Sequence, residues 1–150
     1  MRDEKLAKEI AEILELNGQQ PERLNAMLNL KLADCSREEG YVEFEFDVRE
    51  WCLNPYGGVH GGMICALFDT SLGIGAVALT QKFVSTTDMS VSFLRPFNDS
   101  HYRFTGEYTQ IGRRMVRATG KAISIKDGTV CATAMASYML TESKARGLQD

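Results

Sequence analysis

Asn54-Pro55-Tyr56-Gly57-Gly58-Val59-His60-Gly61-Gly62 runs without a break into Met63-Ile64-Cys65-Ala66-Leu67-Phe68-Asp69-Thr70-Ser71-Leu72, and the apolar pattern continues through Ile74, Ala76, Val77 and Leu79. The second part reads as a helix whose apolar residues keep to no single stripe, and such a helix belongs inside a fold. One carboxylate, Asp69, stands at its middle. Dehydrating an unpaired carboxylate is expensive, so Asp69 needs a fixed partner or a function. In front of the helix, Gly61-Gly62 lets a ligand approach a helix N-terminus, where free N–H groups and a partial positive charge await. The glycine pair alone fits a plain tight turn equally well. Asn54 on one side and Asp69 on the other favour a site.

Working outward, Asp3-Glu4 opens an amphipathic helix carrying Leu6, Ile10, Ile13 and Leu14, and Asn17-Gly18 closes it. Pro21 suits the first turn of a second, short helix with Leu24, Met27 and Leu28. Tyr41 to Val48 alternates with period two and is expected to pair, through a Glu39-Gly40 turn, with Leu30 to Asp34. Beyond the long helix come four strand-like runs: Phe83 to Leu94, His101 to Gln110, Met115 to Ile125, and Thr129 to Leu140. Turns at Pro96-Phe97-Asn98-Asp99, Ile111-Gly112-Arg113 and Lys126-Asp127-Gly128 separate them. The order is two strands, one long helix, four strands. A helix of about 20 residues spans roughly 30 Å, enough to cover the apolar face of one antiparallel sheet.

A length of 150 residues with 44% hydrophobic and 25% charged residues fits a single globular domain, here residues 1–150 with a helical extension over 1–28 and a polar tail over 141–150. The net charge of -3 gives no footprint for nucleic acid. Asp69, Thr70, Ser71 and two glycines interrupt the longest apolar stretch, which makes it a poor membrane span, and the charged start Met1-Arg2-Asp3-Glu4-Lys5 is no secretory leader. Cys35, Cys52, Cys65 and Cys131 lie far apart without metal spacing, which suggests a reducing cytoplasm and no bound metal.

With these elements in place the chain resembles the hotdog fold, an α+β architecture in which a curled antiparallel β-sheet wraps a long central helix. It is more specifically similar to the acyl-CoA thioesterases of the phenylacetyl-CoA (PaaI-like) branch. The resemblance is carried by Asn54, by His60-Gly61-Gly62, by Asp69 nine residues after His60, and by Asp88-Met89-Ser90-Val91-Ser92-Phe93-Leu94-Arg95-Pro96. It covers about Leu30 to Leu140 and leaves the N-terminal helices outside. It implies hydrolysis of an acyl-CoA thioester, with Asp69 as nucleophile or general base and Asn54 holding the attacking water. The Gly61 N–H would polarise the carbonyl, and Thr86 would orient water or the carboxylate. It implies no cofactor beyond the coenzyme A of the substrate, and a dimer or tetramer whose sites are built from two chains. The alternative on the same fold is a protein that binds acyl-CoA without cleaving it.

Thioester hydrolysis needs a base or nucleophile, a positioned water and a donor to the developing oxyanion, and the quoted residues can supply all three. His60 reads as a positioning residue near the substrate, with Gly62 beside it, and His101 as a surface residue. Cys65, one turn before Asp69, reads as core. Arg113-Arg114 fits either a solvated turn or a contact with coenzyme A phosphates. Thr86 conflicts with simple alternation, since Met89, Val91 and Phe93 put odd-numbered residues inward. A bulge or a contact from a neighbouring chain would reconcile it; otherwise Ser85 or Thr87 is the better hydroxyl. His60 and Asp69 are about 900° and roughly 13 Å apart on an ideal helix. One chain therefore cannot aim the helix entrance and the carboxylate at the same carbon.

Overall fold

Strand alternation decides the sheet. In β2 (Tyr41–Asp47) Val42, Phe44 and Phe46 are buried; in β4 (His101–Ile111) Tyr102, Phe104 and Tyr108 are buried. Beyond β4, β5 (Met115–Ser124) and β6 (Val130–Lys144) turn small residues inward: Ala118 and Ala122, then Ala132, Ala134 and Ala136. With β1 (Lys31–Ser36) and β3 (Lys82–Phe93) they form one antiparallel sheet in the order β1-β2-β4-β5-β6-β3. The computed structural model describes residues 1–144.

The long helix α3 (Gly61–Thr80) touches β2, β3, β4, β5 and β6, so the sheet curls around it, and the hotdog fold expected from the sequence is present. Close approach depends on missing side chains. A Cβ on Gly75 would lie 2.0 Å from the Tyr108 hydroxyl, and one on Gly106 would lie 2.6 Å from Leu72 Cδ2. In that space the Tyr108 O–H donates to the Leu72 carbonyl at 2.5 Å. By length and composition α3 is the one helix among the described residues that could cross a membrane, but its packing is that of a core helix.

The sheet covers only one side of α3. Helix α1 (Glu4–Gly18) covers part of the other, with Leu6, Ala7 and Ile10 buried. Consequently nine residues of α3 are buried, while Cys65, Ala66, Asp69 and Thr70 are half-buried. This corrects the expectation of a helix buried all round and of Cys65 as core. Asp3 fixes α1 by two bonds: Oδ1 accepts the Leu6 N–H at 2.9 Å, and Oδ2 accepts the Arg37 N–H at 2.9 Å. Arg37 then reaches Glu9 at 2.6 Å and the Leu79 carbonyl at 3.1 Å, joining α1 to the end of α3.

Three boundaries differ from expectation. Pro21 lies before α2 (Leu24–Leu28), because Gln20 and Arg23 donate into consecutive tight turns that reverse the chain first. β1 continues to Ser36, whose hydroxyl accepts the Glu39 N–H at 3.1 Å and so delays the turn to residues 37–40. Residues 141–144 belong to β6, since Lys144 pairs with Lys82; the rest of the expected polar tail, Arg146 included, lies outside the described residues. All four cysteines are unpaired.

Candidate active site

Helix α3 carries two chemically different places. At its start, His60 is the N-cap and its Nδ1 accepts the Gly62 N–H at 2.8 Å. A Cβ on Gly62 would come within 3.0 Å of that nitrogen, so the glycine is what admits the ring. The His60 carbonyl accepts from Met63 at 2.9 Å and Ile64 at 3.1 Å. Of the N–H groups in the first turn, that of Gly61 is left without a partner among the described residues. His60 and Gly62 thus build the helix entrance, and Gly61 is the open donor.

The loop ahead of the helix is organised by Asn54. Its Oδ1 accepts the N–H of Tyr56 at 2.8 Å and of Gly58 at 3.2 Å, while its own N–H donates to the Gly58 carbonyl at 2.7 Å. Two donors on one oxygen settle the amide orientation, and the Nδ2 group remains as a second donor. Asn54, Gly61, Ile64, Phe93 and Leu94 line a cavity of about 420 Å³.

About 12 Å further along the helix axis, Asp69 faces a different cavity of about 490 Å³, shared with Thr86, Tyr138, Phe83 and residues of both N-terminal helices. The Thr86 hydroxyl donates to Asp69 Oδ1 at 2.7 Å. A register shift between Thr86 and Asp88 makes Thr87 the extra residue of a bulge. Phe93, Val91 and Met89 sit opposite Ala132, Ala134 and Ala136, and after the bulge it is Thr86 that sits opposite Tyr138. The bulge therefore inverts the alternation and turns the exposed Thr86 toward Asp69 on α3, while Thr87 donates to the Ser137 carbonyl at 3.0 Å.

Tyr138 was not singled out by the sequence reading. It is 1% exposed, and its O–H donates to the Asp69 carbonyl at 3.1 Å and to Oδ1 at 3.3 Å. Burial, and then the charge of Asp69, push its phenol well above the ordinary value, so it stays a donor at neutral pH. The available signal was its position: one tyrosine following Ala132, Ala134 and Ala136 on the same strand face.

The remaining candidates lie away from these cavities. Arg113 is exposed in the β4–β5 turn, outside both. The neighbouring Arg114 carbonyl accepts the Leu140 N–H at 2.8 Å, and Leu140 pairs with Val84, which lines the Asp69 cavity. His101 is exposed and meets Asp47 at 2.5 Å.

Known proteins place this geometry in a family. The model of the thioesterase superfamily matches residues 56–131, half of the chain, including Gly61, Asp69 and Thr86. Among solved structures, the chain is similar to a phenylacetic acid degradation-related protein of Ralstonia eutropha JMP134, at 27% identity and TM-score 0.75 over 87% of this chain and 98% of that one. The E. coli PaaI protein of the phenylacetic acid degradation operon shares 16% identity at TM-score 0.78, over 93% and 96% of the two chains. A Streptococcus mutans UA159 protein bound to acetyl CoA shares 20% at TM-score 0.70, over 77% and 91%. These last two show likeness of fold. No curated protein gives a significant sequence match.

Proposed function

The chain belongs to the thioesterase superfamily and is a thioester hydrolase, and we propose that it cleaves acyl-CoA to the free acid and coenzyme A at sites shared between two copies. Asp69 acts as nucleophile or general base, held by Thr86 and Tyr138. The Gly61 N–H meets the developing oxyanion, and Asn54 positions water through its free Nδ2 group. Coenzyme A enters as part of the substrate; the acetyl CoA carried by the Streptococcus mutans protein supports that choice. Arg113, in the exposed β4–β5 turn outside both cavities, meets the phosphates where they leave the site. The unpaired cysteines fit work in the reducing cytoplasm.

The observation that carries this reading is how β3 connects the two cavities. Phe83 and Thr86, near its start, line the Asp69 cavity; Phe93, at its end, lines the Asn54–Gly61 cavity. β3 is a 12-residue edge strand, mostly exposed, with Phe83 and Phe93 among its exposed residues. An exposed edge of this kind is a template for pairing with another chain. Antiparallel pairing of two copies about a two-fold axis sets the start of one β3 against the end of the other. The carboxylate cavity of each chain then faces the donor cavity of its mate, giving two equivalent sites. Pairing of such dimers gives the tetramer.

The test is a panel of acyl-CoAs, including phenylacetyl-CoA and straight chains of graded length, with a thiol reagent reporting free coenzyme A. Release of the thiol by wild type and its loss in Asp69→Ala are expected. Binding of acyl-CoA with no release from any substrate would show a protein that holds the ligand without cleaving it.

A further inference from the structure

Asn98 lies in the segment between β3 and β4 that reads as a turn, where an asparagine needs no further reason if its amide closes the turn or its φ is left-handed. Other turns in the chain use such residues that way. Asp127 Oδ1 accepts the Thr129 N–H at 2.9 Å, and Asn29 has a φ of 49°. Asn98 does neither: its φ is not left-handed, and its side chain makes no hydrogen bond among the described residues. It is nevertheless held on both sides. The carbonyl of buried Phe97 accepts the Val59 N–H at 3.0 Å. The Asp99 N–H donates to the buried Tyr102 hydroxyl at 2.7 Å, and the Asp99 carboxylate accepts from the buried Ser124 hydroxyl.

This fixed segment brings the Asn98 side chain to the cavity that holds Asn54 and Gly61. Gly58 keeps the space between the two amides open, since a Cβ there would lie 3.2 Å from Asn98 Oδ1 and 3.6 Å from Asn54 Nδ2. One amide offers that space a donor, the other an acceptor. A water about to attack a carbonyl carbon keeps one lone pair for the carbon. Its other lone pair needs a donor, and its two protons need two acceptors. Building on the acyl-CoA thioesterase reading, we propose that Asn98 holds the attacking water together with Asn54. Asn54 Nδ2 donates to the water oxygen, the partner subunit's Asp69 takes one proton as general base, and Asn98 Oδ1 accepts the other. As the new C–O bond forms and the C–S bond breaks, the proton taken by Asp69 passes to the leaving thiolate. The proton at Asn98 stays on the oxygen and becomes that of the product acid.

The experiment follows phenylacetyl-CoA, or the best acyl-CoA of the panel, in buffer with a fixed share of methanol, and measures free acid and methyl ester. Methanol has a lone pair for Asn54 and one proton for Asp69, but no second proton for Asn98. Asn98→Ala, checked for wild-type melting, is expected to lose about tenfold in kcat for hydrolysis with KM little changed, and the ester share of the products is expected to rise. Asn98→Asp keeps an accepting oxygen at the same length and is expected to hold the ester share near that of wild type. A rise in KM alone, an unchanged kcat, an ester share unchanged in the Ala variant, or one equally raised in the Asp variant overturns the proposal while thioesterase activity stands. A wild type that hydrolyses no acyl-CoA overturns both.

Discussion

The two cavities joined by β3 differ in how their polar groups are spent. Around Asp69 the donors converge: the hydroxyls of Thr86 and Tyr138 both point at Oδ1. Around Gly61 two acceptors are consumed internally, with Asn54 Oδ1 taken by two backbone N–H groups and His60 Nδ1 by Gly62. What is left free in the first cavity is carboxylate oxygen; in the second it is N–H, beside the neutral amide of Asn98. Hydrolysis of a thioester needs both, a negative group at the attacking side and donors at the carbonyl oxygen. On the proposed reading each cavity is half of such a centre, and two copies of the chain are needed to complete it.

Removing the carboxylate strikes this contrast hardest. Asp69→Ala is expected to lose at least about 100-fold in kcat, the contribution of a positioned base, while the protein stays folded because Asp69 is only half-buried. Asn54→Ala is expected to lose less, since Gly61 still serves the oxyanion. Steady-state kinetics with melting curves check the pair; an equal or larger loss in Asn54→Ala would reverse the assignment.

A smaller change separates holding the carboxylate from being it. Thr86→Val removes the 2.7 Å hydrogen bond to Asp69 and is expected to cost roughly tenfold in kcat, with KM little changed. Loss confined to KM would make Thr86 a binding residue.

Smallest is an effect confined to the anchor of the α1 wall. The N–H of Leu6, and then that of Arg37, hold the Asp3 carboxyl below its ordinary value of 3.8. Because the folded value is the lower one, its contribution to stability is complete above about pH 4 and is lost as pH falls through the folded pKa. Asn also caps a helix but does not titrate. Asp3→Asn is therefore expected to flatten the dependence of Tm on pH below about 4, and to lower Tm at neutral pH because its single oxygen can keep only one of the two N–H groups. Thermal scans across that range check it.

Much of this was legible in the residues. Period-two alternation in β2, β4, β5 and β6 and the continuous apolar run of α3 decided the fold, because burial on a pleated sheet imposes those patterns directly. Asn54, Gly61 and Asp69 stood out as candidates because a polar residue amid glycines or apolar side chains costs energy that needs a reason. Thr86 was legible only as a conflict, since a bulge changes facing without changing composition. Tyr138 escaped for a different reason: its meaning lies in a hydrogen bond to Asp69, a residue 69 positions away. Helical spacing had shown His60 and Asp69 turned apart; it could not show that β3 would bridge their cavities.

The shared site is tested most directly by mixing two impaired chains. Asp69→Ala and Asn54→Ala proteins are unfolded and refolded together in equal amounts, then assayed on the best acyl-CoA of the panel. Random pairing puts about half of the dimers in the mixed form, each with one intact and one doubly damaged site, so recovery to about a quarter of wild-type activity is predicted. If mixed dimers form, shown by differently tagged chains, and activity stays at the average of the two parents, Asp69 and Asn54 act within one chain and the account is wrong.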